Sequence, residues 1–134
     1  ARYTDAVVKS GSANFSITGN KVESAPDFIT RNGITARYKM LSYSVLYSYT
    51  SSTYADPLNT VEPLKTTGAA GLVPAYGILD MNFNARFSKN IELKINLNNA
   101  TNKQYFTKRP TFYPGPGVWS SDGRNASVTV VVRM

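Results

Sequence analysis

The sequence predicts an all-β chain of antiparallel, up-and-down strands. Three observations predict it: apolar and polar residues alternate over five segments, helical periodicity is absent, and tight turns alternate with long Gly/Pro-rich loops. A period of two places successive side chains on opposite faces of a strand.

In chain order, residues 1–8 read as the end of a strand, and residues 28–38 form a strand of weaker alternation. Tyr38-Lys39-Met40 is a tight turn. Residues 41–50 follow, with Leu41, Tyr43, Val45, Tyr47 and Tyr49 on one face and Ser42, Ser44, Leu46, Ser48 and Thr50 on the other; only Leu46 breaks the rule. A long loop covers residues 51–76. Residues 77–87 then place Leu79, Met81, Phe83, Ala85 and Phe87 opposite Ile78, Asp80, Asn82, Asn84 and Arg86. After the turn Ser88-Lys89-Asn90, the set Ile91, Leu93, Ile95, Leu97 alternates with Glu92, Lys94, Asn96, Asn98 without a violation. A second long loop spans residues 101–125. The last strand alternates Ala126, Val128, Val130, Val132 and Met134 with Ser127, Thr129, Val131 and Arg133.

Composition narrows the function classes. The chain has 134 residues, 42% hydrophobic and 17% charged, the range of one ordinary domain. No run approaches the roughly 18 to 20 apolar residues of a membrane helix, so helical spanning is excluded. The first residues lack the regions of a signal peptide, which leaves a cytoplasmic protein, a processed one and a fragment all open. With no Cys and no His, disulfides, thiolate chemistry, imidazole acid–base catalysis and most zinc sites drop out. A net charge of +7 suits an acidic partner: nucleic acid, an anionic small ligand, or lipid phosphates. The cations are scattered, which disfavours nucleic acid.

Short and long connections alternate strictly, so an up-and-down sheet collects its tight turns at one end and its long loops at the other. Outer-membrane β-barrels have this asymmetry, with strands apolar toward lipid and polar toward the lumen, and segments of about 9 to 11 residues match a tilted membrane strand. A soluble antiparallel sandwich alternates as well. Two details favour the barrel. The polar face of residues 41–50 is small Ser and Thr and that of 77–87 is Asn-rich, without the Lys and Glu of a solvent face. Tyr38, Tyr43, Tyr47, Tyr49 and Phe87 sit on apolar faces, several near strand ends, where aromatic girdles meet a membrane interface.

The phrase Asn98-Asn99-Ala100-Thr101-Asn102-Lys103-Gln104-Tyr105-Phe106 resembles the Asn-Asn-Leu-Phe-Asp-Lys phrase and aromatic pair that end the penultimate strand of TonB-dependent outer-membrane receptors. Asn98, Asn99, Lys103, Tyr105 and Phe106 match; Ala100, Thr101 and Asn102 depart. Arg109-Pro110, Tyr113-Pro114-Gly115-Pro116-Gly117 and Asp122-Gly123-Arg124 resemble the last extracellular loop of the iron-siderophore and ferric-citrate-like branch. Gly19-Asn20-Lys21-Val22 with Pro26 is similar to an element opening an earlier strand. Those barrels usually finish on an aromatic residue, whereas this chain finishes on Met134. Five strands and part of a sixth cannot close a barrel, since closed examples start at about eight strands. The resemblance therefore implies the C-terminal part of a large transmembrane barrel in the bacterial outer membrane. The plug, the N-terminal strands and the contact with the TonB energy-transducing protein would lie elsewhere in the receptor, and lipid and lipopolysaccharide would surround the wall.

Within that frame Asp80, Asn82, Asn84, Arg86, Glu92, Lys94 and Asn96 are expected to face the lumen. A hairpin with Phe87 facing Ile91 sets Arg86 opposite Glu92, Asn84 opposite Lys94 and Asp80 opposite Asn98. The loop 101–125 carries a local balance of +3, and its candidates for an anionic iron chelate are Lys108, Arg109, Tyr113, Trp119 and Arg124. The competing reading gives those cations to lipopolysaccharide phosphates or loop carboxylates. The chelate is cargo, not a cofactor. No catalytic or metal-ligating set is expected: Asp80 and Glu92 come with no nucleophile or metal set, which rejects an enzyme. The alternatives are an importer of a glycan or cobalamin within the same family, and a soluble carbohydrate-binding β-sandwich.

Overall fold

The fold is that of a computed structural model, which describes residues 1–111 and 115–134. Its described strands are β1 (Val7–Ser10), β2 (Ala13–Ser16), β3 (Ile29–Tyr38), β4 (Leu41–Thr50), β5 (Thr53–Tyr54), β6 (Leu72–Val73), β7 (Tyr76–Arg86), β8 (Ile91–Asn98), β9 (Phe106–Lys108), β10 (Trp119–Ser120) and β11 (Asn125–Val132). No helix occurs among the described residues. The chain is all-β and divides into two units.

The first unit, made of Ile29–Tyr49, Tyr76–Gln104 and Asp122–Met134, is one antiparallel five-stranded sheet in the order β11-β8-β7-β4-β3. The tight turns join β3 to β4 and β7 to β8. At the first, Lys39 takes a φ of 51°, and at the second the Ser88 hydroxyl accepts the N–H groups of Asn90 and Ile91 at 3.2 and 3.1 Å. The β7–β8 ladder runs from Met81 opposite Leu97 to Arg86 opposite Glu92, and β11 continues it from Asn125 opposite Asn98 to Val132 opposite Ile91. The expected pairs Arg86–Glu92 and Asn84–Lys94 are therefore cross-strand neighbours. The sheet is open, with β3 and β11 as its edges.

Burial on this sheet is inverted relative to a soluble protein. Val128 is 65% exposed and Ile34 79%, whereas Glu92 is only 3% exposed. Among the described residues the buried hydrophobic side chains are Ile17, Ala69, Val73 and Ala85, of which Ala85 alone belongs to the sheet. Ile95 is exposed and Leu93 and Leu97 are half-buried, so the apolar stripe is not sealed in a core. Leu46, the one intruder on the polar face of β4, lies over the bare α-carbon of Gly33, where an added Cβ would stand 3.3 Å from Leu46 Cδ1. On the opposite face the Tyr47 ring covers Gly77 of the neighbouring strand; a Cβ there would clash with its hydroxyl.

The second unit, Ala1–Phe28, Thr50–Ala75 and Tyr105–Ser121, holds most of the two long connections. They are not wholly irregular, because β5 pairs with β6 and β9 with β10, each antiparallel. The opening residues differ from expectation too. Val7–Ser10 turns back at Gly11 and pairs with Ala13–Ser16, so residues 1–8 lead into a hairpin and not into the five-stranded sheet. The left-handed φ of Gly11, 61°, permits so tight a reversal.

Gly71 holds this unit together by having no side chain. Its φ is 85°, and a Cβ would come within 2.9 Å of the Pro63 backbone. Gly71→Ala combines left-handed strain with a backbone clash and is expected to destabilise the unit by about 2 kcal/mol or more. Limited proteolysis within residues 50–75 reads the effect, and unchanged cleavage rates would refute it.

Candidate functional site

The polar face of the sheet is built by alternation. Asp80, Asn82, Asn84 and Arg86 project from one face of β7, and Glu92, Lys94 and Asn96 join them from β8. Glu92 is the node. Its Oε1 accepts the Asn84 amide at 2.7 Å and lies 3.7 Å from Lys94 Nζ, while Oε2 accepts the Arg133 guanidinium at 3.1 Å. Arg86 stands opposite Glu92, as the pairing rule requires, yet the hydrogen bonds go to the diagonal Asn84 and to Arg133 at the end of the next strand. Farther along, Asn96 donates to the Ser127 hydroxyl at 3.1 Å and Asn98 to Asn125 Oδ1 at 2.9 Å.

Asp80 ties the wall to the loop base. Its Oδ1 accepts the backbone N–H of Asn99 at 2.8 Å, just beyond the described ladder. Asn99 is itself buried, with a φ of 49°, and its side chain ties the loop base. The amide donates to the Lys103 carbonyl at 2.9 Å and the Asp122 carbonyl at 3.3 Å, and Oδ1 accepts the Lys103 N–H at 2.8 Å. Asn102, φ 51°, accepts the Arg124 N–H at 3.0 Å. Asn tolerates the left-handed region because its short amide bonds locally. The Asn-rich phrase thus clamps the two ends of the long connection.

In the loop unit, Lys108, Arg109 and Trp119 come together beside a recess of about 280 Å³ that Ser24, Val73 and Thr111 also line. Lys108 Nζ sits 5.3 Å from the centre of the Trp119 ring. Arg109 is engaged differently: Nε donates to the Leu72 carbonyl at 3.0 Å, one terminal nitrogen donates to the Gly68 carbonyl at 2.7 Å, and the guanidinium lies 4.5 Å from the Phe106 ring centre. It pins one long connection to the other, and Lys108 is the cation left to meet a ligand. Arg124 belongs to the sheet unit, and Tyr113, with Phe112 and Pro114, lies outside the described residues. Nearby in sequence to Ser24, Lys21 forms an ion pair with Asp27, and that hydrogen bond holds the Asp27 carboxyl below its ordinary pKa.

Two functional features escaped sequence reasoning. Arg133 closes the Glu92 node, and its only advance signal was a charge on the polar side of the last strand. Asp56 folds the first long connection by accepting from the N–H groups of Leu58 and Thr60 and from the Thr60 hydroxyl, a role the Asp56-Pro57 pair hinted at.

No family model matches the sequence, and no curated protein matches it. Solved structures share the fold, two of them as follows. The ferric citrate transporter FecA in its unliganded form has a TM-score of 0.76 at 18% identity, over 87% of this chain and 18% of its own. The siderophore receptor PiuA from Acinetobacter baumannii has a TM-score of 0.72 at 23% identity, over 93% of this chain and 16% of its own. The likeness establishes a shared antiparallel fold, and this chain spans less than a fifth of either length.

Proposed function

We propose that this chain is wall and loops from the C-terminal part of a TonB-dependent outer-membrane receptor that imports an iron chelate, of the siderophore or ferric-citrate kind. The observation that carries the reading is the inverted burial of the sheet: aliphatic residues stand exposed on one face while a carboxylate is enclosed on the other. That arrangement is stable where hydrocarbon bathes the first face and a polar lumen the second. Two solved proteins of like fold are named for ferric citrate and for siderophores, which supports the cargo class. In this reading the loops capture the anionic chelate, a plug supplied elsewhere in the receptor occludes the lumen, and the TonB protein relays energy to that plug. The role of this chain is positioning and selection, not chemistry, and its setting is the outer membrane with its lipid and lipopolysaccharide.

Titrating the detergent-solubilised protein with ferric citrate tests the loop. Lys108→Ala is expected to weaken binding about tenfold, the loss of one charge-assisted contact. Arg109→Ala is expected to weaken it through collapse of the loop, and so to accelerate proteolysis as well. Unchanged affinity in both variants removes them from the site.

A further inference from the structure

The sheet unit carries a second basic recess, of about 420 Å³, at its tight-turn end. Arg37, Lys39 and Arg86 line it, together with Ser42 and Asn84. No carboxylate lines it. The faces agree: Thr35 bonds Ser44 across the strands at 2.9 Å, which places Arg37, two residues on, and Ser42, two residues back, on the polar face with Asn84 and Arg86.

None of the three cations is held by a hydrogen bond or ion pair among the described residues, although Arg86 faces Glu92 and Lys39 rests on an aromatic ring. Glu92, the carboxylate facing Arg86 across the ladder, has both oxygens occupied by Asn84, Lys94 and Arg133, and no ion pair joins it to Arg86 among the described residues. Neither Arg37 nor Arg86 makes a side-chain hydrogen bond or ion pair among the described residues. Lys39 rests only against the Tyr38 ring, 5.3 Å from its centre. Three positive side chains around one recess repel one another, and the Glu92 carboxylate that faces Arg86 is already shared with Lys94 and Arg133. A folded chain relieves that repulsion by binding an anion.

We propose that this recess is an anion site for a multivalent soluble oxyanion, phosphate or polycarboxylate, distinct from the loop recess. Two guanidinium groups offer paired donors to oxyanion oxygens, Lys39 adds a point charge, and the Ser42 hydroxyl supplies a neutral donor. The side of the sheet selects the source. A lipid headgroup reaches the apolar face, whereas the two guanidinium groups, Arg37 and Arg86, stand on the polar face with the Glu92 ladder, so the anion arrives through water. If the chain works as proposed above, the site lies at the tight-turn end of the wall and would take an anion from the lumen.

The test is isothermal titration of the full protein in a zwitterionic detergent, with inorganic phosphate and citrate in separate arms and a third arm of micelles doped with phosphatidylglycerol. Wild-type protein is expected to bind phosphate or citrate, with affinity falling as salt rises. The double variant Arg37→Gln/Arg86→Gln is expected to lose at least tenfold, while Lys65→Gln, which removes a charge from the other unit, leaves the affinity unchanged. Should the double variant fail to fold by circular dichroism, Lys39→Gln alone is measured, with a severalfold loss expected. Equal affinity in wild type and variant, or binding seen only with phosphatidylglycerol, overturns the proposal. Because citrate is supplied without iron and Lys108 is intact throughout, failure here leaves the loop reading standing, and failure of the loop titration leaves this one.

Discussion

Val128→Arg is expected to destabilise the folded protein by about 2 to 4 kcal/mol in a bilayer, the cost of a cation on the lipid face of a barrel near the midplane. Val128 stands at the middle of β11, opposite Ile95, and both belong to the exposed apolar stripe. Its chain neighbour Ser127 points to the other face, where it accepts from Asn96. Ser127→Arg is therefore expected to change stability by less than about 1 kcal/mol, the loss of one exposed hydrogen bond. Denaturant-dependent folding into phosphocholine vesicles measures both. The contrast is the decisive quantity, because one residue of displacement along a strand reverses the face. A neutral Val128→Arg beside a damaging Ser127→Arg would mean that the polar side meets lipid, and would end the barrel reading.

Asn99→Ala is expected to cost about 3 kcal/mol or more. The substitution deletes three side-chain hydrogen bonds, each worth roughly 0.5 to 1.5 kcal/mol, which tie the backbone of Lys103 and Asp122 to the loop base. It also forces Ala to hold a left-handed φ, a strain of roughly 1 to 2 kcal/mol. Asn99→Gly separates the two parts, since glycine takes the backbone conformation freely and still loses the bonds. The readouts are the folding equilibrium and amide exchange at Lys103. A glycine variant as stable as wild type would show that the amide contributes nothing and that backbone conformation alone matters.

Much of the sheet was legible in sequence because its cause is local. Pleating forces a period of two, so the faces of residues 41–50, 77–87 and 91–98 could be assigned from residue types, and observed strand ends fall within a residue of those ranges. The hairpin register was legible too, since a tight turn leaves one pairing that keeps both apolar stripes together. The loops were another matter. Lys108 and Trp119 were singled out as ligand candidates by type, but nothing near Arg109 announced that its guanidinium would be consumed by the carbonyls of Gly68 and Leu72, 41 and 37 residues away. Nor did any local pattern separate Arg124 from Lys108 into a different unit. The opening residues misled for the same reason: their alternation fits a wall strand and a small hairpin equally well, and only pairing partners distinguish the two.

What the sequence determined by itself was the element type, the two faces of each strand and the alternation of short and long connections, all consequences of steric rules acting over a few residues. Tertiary structure alone decided that β5 pairs with β6 and β9 with β10, that Glu92 is enclosed by Asn84 and Arg133, that Arg109 pins a loop, and that Arg37, Lys39 and Arg86 share one recess. Those arrangements join residues tens of positions apart, where chain closure and the satisfaction of buried polar groups, not local periodicity, choose the partner.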